Sequence, residues 1–193
     1  MNIVGLLLAA GAAKRFGSDK LQHRLPHGVP IAVQSLRHLR SQVEKTFVVV
    51  RPGGEKLFET ENAEVVVCPN ADEGMGTSLA CAARAAANLA PRADGYLVAL
   101  ADMPFIRPSS IAAVRDALAG GAPLVAPYFR TRRGHPVGIS GRFHPHLLAL
   151  QGDEGAKSLL GQHEKSLVRI PVGDPGVVRD VDRPEDLLPP LAV

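Results

Sequence analysis

Residues 3–9 form an unbroken apolar run, Ile-Val-Gly-Leu-Leu-Leu-Ala, with no polar alternation. A strand of that composition is buried on both faces, so the rest of the chain must cover two sides of a sheet. The sequence continues in that style. Residues 31–40 follow Gly28-Val29-Pro30 and place Ile31, Ser35, Leu36 and Leu39 near helical spacing. Short β-branched runs at 46–50 and 64–68 are stopped by Arg51-Pro52-Gly53-Gly54 and by Pro69-Asn70. Residues 76–89 read as an alanine-rich helix with Thr77 or Ser78 placed to cap it, and 95–100 as a further strand. Ser109 or Ser110 is expected to cap a helix reaching Leu118. Strands are expected at 123–126, 136–140 and 167–170, with a helix near 153–160.

Strands alternating with helices predict an α/β fold, a Rossmann-like, mostly parallel sheet with helices on both faces. A length of 193 residues, 46% hydrophobic, suits one well-buried domain spanning 1–193 and is short for two. In such sheets ligands collect beyond the carboxyl ends of the strands. The first apolar run delivers an unusual group of residues there: Ala9, Ala10 and Gly11, then Lys14, Arg15 and Lys20. Small side chains let backbone N–H groups approach a ligand closely, and the cations suit phosphates. Taken alone, the stretch also fits a core strand ending in an exposed basic turn.

Spacing removes three rivals. A P-loop needs Lys directly after its second glycine, but Gly17 is followed by Ser18 and Asp19. The three-glycine dinucleotide fingerprint is missing. A secretory signal needs a cation before its apolar run, and Met1-Asn2 has none. A formal charge of +3 with no long basic run gives no case for nucleic acid, and the absence of tryptophan leaves little stacking platform. No apolar stretch approaches the roughly 20 residues a membrane helix requires. Cys68 and Cys81 have no metal-type spacing and form no disulfide framework, which fits a reduced cytoplasmic setting.

Other residues carry chemistry of their own. Asp102 directly follows the apolar run 96–101, so a strand brings one carboxylate to the sheet edge, as a hard-oxygen ligand for Mg²⁺ or as a turn cap. Alternation along 180–182 puts Asp180 and Asp182 on one face, while Glu185 and Asp186 fit an acidic helix start. Asn70, Gly74, Met75 and Ser78 belong to a turn, a glycine pair and a helix start. Arg130, Arg132 and Arg133 stand beside a Gly134-His135-Pro136 turn, either as an exposed basic hairpin or as phosphate-binding forks. His144-Pro145-His146 has no partner cluster and reads as surface.

Leu8-Ala9-Ala10-Gly11 followed by Arg15-Phe16-Gly17 and Lys20 resembles the signature loop of the MobA-like nucleotidyltransferases, which attach a nucleotide to molybdenum cofactor and related phosphate acceptors. The Ala-Ala-Gly form resembles the cytidylyl branch, with one departure, Ala13 where a hydroxyl residue is common. The resemblance runs in motif order from Leu8 to Leu187. It implies a nucleotide-diphospho-sugar transferase fold and transfer of CMP from CTP to a molybdopterin-type cofactor, with pyrophosphate released. Arg15 and Lys20 would be catalytic. Leu8, Ala9, Ala10, Gly11, Lys14, Phe16, Gly17, Asn70, Gly74, Met75 and Ser78 would bind the nucleotide, and Asp102 and Asp182 would hold Mg²⁺. Arg132, Arg133, Gly134, His135 and Pro136 would face the acceptor. Transient contact with a molybdenum hydroxylase follows, with no nucleic-acid or membrane partner. Two alternatives stand beside it: a related enzyme for a sugar phosphate or methylerythritol phosphate, and a non-catalytic cofactor carrier.

Overall fold

The computed structural model describes residues 1–11, 20–90 and 93–187. The opening apolar run becomes β1 (Ile3–Leu8), every residue of it buried. It lies between β2 (Lys45–Val50) and β4 (Gly95–Leu100), parallel to both, and β3 (Glu64–Val67) extends the parallel set beyond β2. Beyond β4 come β7 (Val137–Ser140), β5 (Leu124–Phe129) and β6 (Arg132–Arg133), with β8 (Leu167–Pro171) paired to β5. The fold is therefore a mostly parallel mixed α/β sheet. The antiparallel β7 departs from the all-parallel pattern expected of alternating strands and helices. β5, β6 and β7 follow one another through connections of a few residues, and only a long crossover can return a strand parallel.

Successive side chains of the central strands point to opposite faces, and each face has its own cover. Leu6, Leu8, Phe47, Val49 and Val98 pack with α2 (Met75–Leu89), α4 (His144–Leu148) and α5 (Gly155–Gln162). Leu7, Val48, Val50, Leu97 and Ala99 pack on the other side with α1 (Ile31–Arg40) and α3 (Pro108–Ala119). Leu36, Leu39 and Val114 are fully buried there; each such side chain contributes about 1.5–3 kcal/mol by leaving water. Ala82, Ala83 and Ala86 let α2 lie close to the sheet.

Neither expected serine or threonine cap forms. Gly74 stands at the N-cap of α2, and the Gly76 N–H donates to the Gly152 carbonyl at 2.6 Å. The Thr77 hydroxyl instead accepts from the Gly152 N–H, and the Ser78 hydroxyl donates back to the Gly74 carbonyl. At α3 the N-cap is Arg107, and buried Asp174 accepts from the Arg107 N–H and the Ser110 hydroxyl. In both cases a group distant in sequence satisfies the first turn, so the local capping residue is free for another bond. Residues 179–182 are not a strand, although Val181 is fully buried between the two aspartates.

Candidate active site

β1 and β4 end in register, Leu8 opposite Leu100, and the Ala101 N–H donates to the Leu8 carbonyl at 3.0 Å. Ala9-Ala10-Gly11 and Ala101-Asp102 therefore leave the sheet side by side. This is where strand order reverses, one connection from β1 leading out to β2 and the sheet then growing the other way through β4. The C-terminal segment returns to the same corner: the Val181 N–H donates to the Asp102 carbonyl at 2.8 Å, setting Asp180 and Asp182 on either side of Asp102.

The Lys20 ammonium lies 2.9 Å from Asp102 Oδ2 and 2.9 Å from Asp182 Oδ1. Its side chain is 13% exposed, against 23% and 43% for the aspartates. Burial acts against the charge, but the Asp102 and Asp182 carboxylates overcome it and leave the lysine above its ordinary value. Asp102, Asp180 and Asp182 each offer an oxygen within 4.8 Å of the others. Three hard oxygens at one sheet edge are the donor set that Mg²⁺ or Mn²⁺ takes, so the residues present fit a divalent cation.

A cleft of about 470 Å³ opens beside this group, lined by Leu8, Ala10, Gly11, Lys20, Gly74, Met75, Ser78 and Asp102. Ala9 lines an adjoining hollow of about 380 Å³ under Gly53-Gly54. Asn70 is exposed and not part of either wall; its carbonyl accepts from the Glu73 N–H. Lys14, Arg15, Phe16 and Gly17 lie outside the described residues. Arg133 and His135 line a smaller cavity of about 210 Å³ that shares Leu8, Met75, Leu100 and Asp153 with the cleft. Arg132 is turned away and donates to the Val178 carbonyl at 3.3 Å. Gly134 and Pro136 are buried. A Cβ on Gly134 would come within 2.3 Å of the Val177 carbonyl oxygen, so only glycine admits the C-terminal segment there. Burial holds His135 below the ordinary imidazole range, outweighing the Val98 carbonyl and Asp102.

Four wall residues carry no motif signal. Arg51 reaches back from the end of β2 to donate to the Ala10 carbonyl at 2.7 Å and lines both larger hollows. Its place just past a strand end was the signal available. Asp180 had its alternation with Asp182. Asp72 follows a turn, and Asp153 reaches the cleft only because its loop docks on Gly74 and Gly76.

A sheet whose carboxyl edge gathers a lysine, three carboxylates and an open cleft at the strand-order reversal is built to handle phosphates. That defines a nucleotide-transferring class of α/β protein. The chain belongs to the family of the MobA-like NTP transferase domain, which matches residues 5–167. Purine catabolism protein PucB of Bacillus subtilis is 31% identical over 200 residues, covering 95% of this chain and 93% of PucB. A probable molybdenum cofactor guanylyltransferase of Pyrococcus furiosus is 36% identical over 67 residues, 34% of each chain. The fold is that of Rv0371c from Mycobacterium tuberculosis, at 23% identity and a TM-score of 0.82 over 96% of this chain and 94% of that one. The same protein has also been crystallised with manganese.

Proposed function

We propose that this protein is a cytidylyltransferase that moves CMP from CTP to the phosphate of a molybdopterin-type cofactor in the cytoplasm, for use by a molybdenum hydroxylase. The observation that carries the reading is the union of Lys20, Asp102 and Asp182 in one cleft that shares a wall with Arg133 and His135. A carrier needs the second group and not the first. The kinship with a purine catabolism protein and with a probable molybdenum cofactor guanylyltransferase supports the same direction.

In this reading an acceptor phosphate oxygen attacks the α-phosphorus of CTP in line. The bond to the bridging oxygen breaks, and its electron pair leaves on pyrophosphate. No covalent work falls to the chain, so its residues act by position and charge. Ala10 and Gly11 keep the β1 corner narrow enough for close approach of the triphosphate, and Arg51 holds the Ala10 carbonyl in place. Lys20, kept protonated by its two carboxylates, supplies positive charge for the triphosphate and the leaving pyrophosphate. Arg15 is assigned the same task. Asp102 and Asp182, with Asp180 beside them, would hold Mg²⁺, which when bound offsets phosphate charge. The Ala10 methyl, on the cleft wall, favours cytosine over a purine.

The test is pyrophosphate release from CTP and from GTP with Mg²⁺ and a panel of acceptors. Release with CTP and a molybdopterin-type cofactor is expected. Release only with a sugar phosphate or methylerythritol phosphate transfers the reading to a related enzyme. Tight cofactor binding without release from any nucleotide leaves a carrier.

A further inference from the structure

The smaller cavity contains more than the Arg133-to-Pro136 segment. Its floor is apolar, formed by Leu79, Val98, Val137 and Leu160. Two cations stand over that floor from unrelated parts of the chain, Arg133 on β6 and Lys157 on the first turns of α5. Both are exposed, and among the described residues neither forms an ion pair. Nothing about folding requires Lys157 there, since the exposed face of α5 accommodates any polar residue.

The wall toward the cleft adds two features. Met75 is apolar yet 45% exposed, and it separates the two hollows while resting against the Gly155 backbone. Asp153 lines both hollows and offers only acceptor oxygens at neutral pH. His135 has a buried Nδ1 with no hydrogen-bond partner. The set thus combines an apolar bed, acceptors for ring N–H groups and a pair of cations.

We propose that Lys157 and Arg133 together form the anion clamp of an acceptor subsite in this cavity, which takes phosphate monoesters of planar, N–H-bearing rings. The ring lies on Leu79, Val137 and Leu160 beside Met75, with its N–H groups toward Asp153. The phosphate sits between Lys157 and Arg133. This rests on the cytidylyltransferase reading for the order of events and extends it to a residue on α5. Two cations on one phosphate give charge-assisted bonds, and a lysine suits the open rim because it needs no fixed fork geometry.

Binding can be measured without turnover. The fluorescence of 6-hydroxymethylpterin phosphate is titrated with the wild-type protein, Lys157→Met, Lys157→Arg and Arg133→Met. Controls are 6-hydroxymethylpterin, 4-methylumbelliferyl phosphate and inorganic phosphate, with CTP affinity reporting on the integrity of the neighbouring cleft. The pterin phosphate is expected to bind, to weaken about tenfold or more in Lys157→Met and in Arg133→Met, and to recover in Lys157→Arg. The phosphate-free pterin should bind weakly and be indifferent to Lys157. Equal affinity in wild type and Lys157→Met, with CTP binding intact, overturns the clamp and leaves the cytidylyltransferase reading standing. Binding of methylumbelliferyl phosphate but not the pterin phosphate, with the same Lys157 dependence, keeps the clamp and removes both the N–H requirement and the molybdopterin acceptor. Failure of both phosphate esters to bind overturns the proposal outright.

Discussion

Replacing Lys20 by methionine should move two observables in opposite directions. The thioether keeps the volume of the half-buried stem and removes only the charge that lies 2.9 Å from both Asp102 and Asp182. Two unit charges 4 Å apart interact by about 1 kcal/mol in water and about 4 kcal/mol at an effective permittivity near 20. The exposure of Asp182 draws the value toward the lower figure. A divalent cation brought among these carboxylates meets that repulsion doubled, so deleting the ammonium should favour it by roughly 2 kcal/mol, about 30-fold in Kd. Turnover should fall by about 10²-fold or more, because charge on the triphosphate and the leaving pyrophosphate loses its partner. Mn²⁺ affinity is read by titration calorimetry or by the loss of the free-ion resonance, and turnover by pyrophosphate release. A damaged or unfolded variant would lose both activities together. A folded Lys20→Met protein whose Mn²⁺ affinity is unchanged or weaker would refute the placement of Lys20 as the competing cation of a metal-binding carboxylate group.

Four further outcomes are expected. Asp102→Asn and Asp182→Asn should each abolish most Mg²⁺-dependent pyrophosphate release, and the double variant should cost little more, since groups acting on one ion are not additive; multiplicative losses would separate them. Ala10→Gly should narrow the preference for CTP over GTP in direct competition, and an unchanged ratio would place base selection elsewhere. Gly134→Ala forces its Cβ against the Val177 carbonyl, so a loss of about 1–3 kcal/mol in urea unfolding is expected, with impaired turnover as Asp180 and Asp182 shift. His38 is held below its ordinary value by burial, which outweighs the Ile106 carbonyl and Asp174. It stays neutral in the fold, so the unfolded chain takes up the proton first as pH falls through about 6.5. Stability contributed by neutral His38 is therefore present above that pH and lost below it. The urea midpoint should drop from about pH 7.5 to about pH 5.5, and by less in His38→Gln.

What the sequence determined by itself was set by periodicity and by residues adjacent along the chain. The unbroken run 3–9 demanded a strand covered on both faces, and β1 has that cover from α2 on one side and α1 on the other. Ile31–Arg40 and Gly95–Leu100 have the bounds their patterns implied, because apolar spacing and flanking Pro or Ala-Asp-Met-Pro act locally. Ala10, Asp102 and Arg133 were visible for the same reason: each follows, or belongs to, a recognisable local pattern. Tertiary structure decided what local pattern does not encode. The first turns of α2 and α3 are satisfied by Gly152 and Asp174, residues 76 and 67 positions away from Gly76 and Arg107, so the serine and threonine rules failed there. The antiparallel β7 came from short connections outweighing the alternating pattern. Lys20, Asp102 and Asp182 stand 82 and 162 residues apart in pairing, and only the register of β1 with β4 and the Val181-to-Asp102 hydrogen bond bring them together. Asp153 and Lys157 are placed by the docking of one loop on two glycines, a contact between backbones that leaves no trace in the periodicity of either segment.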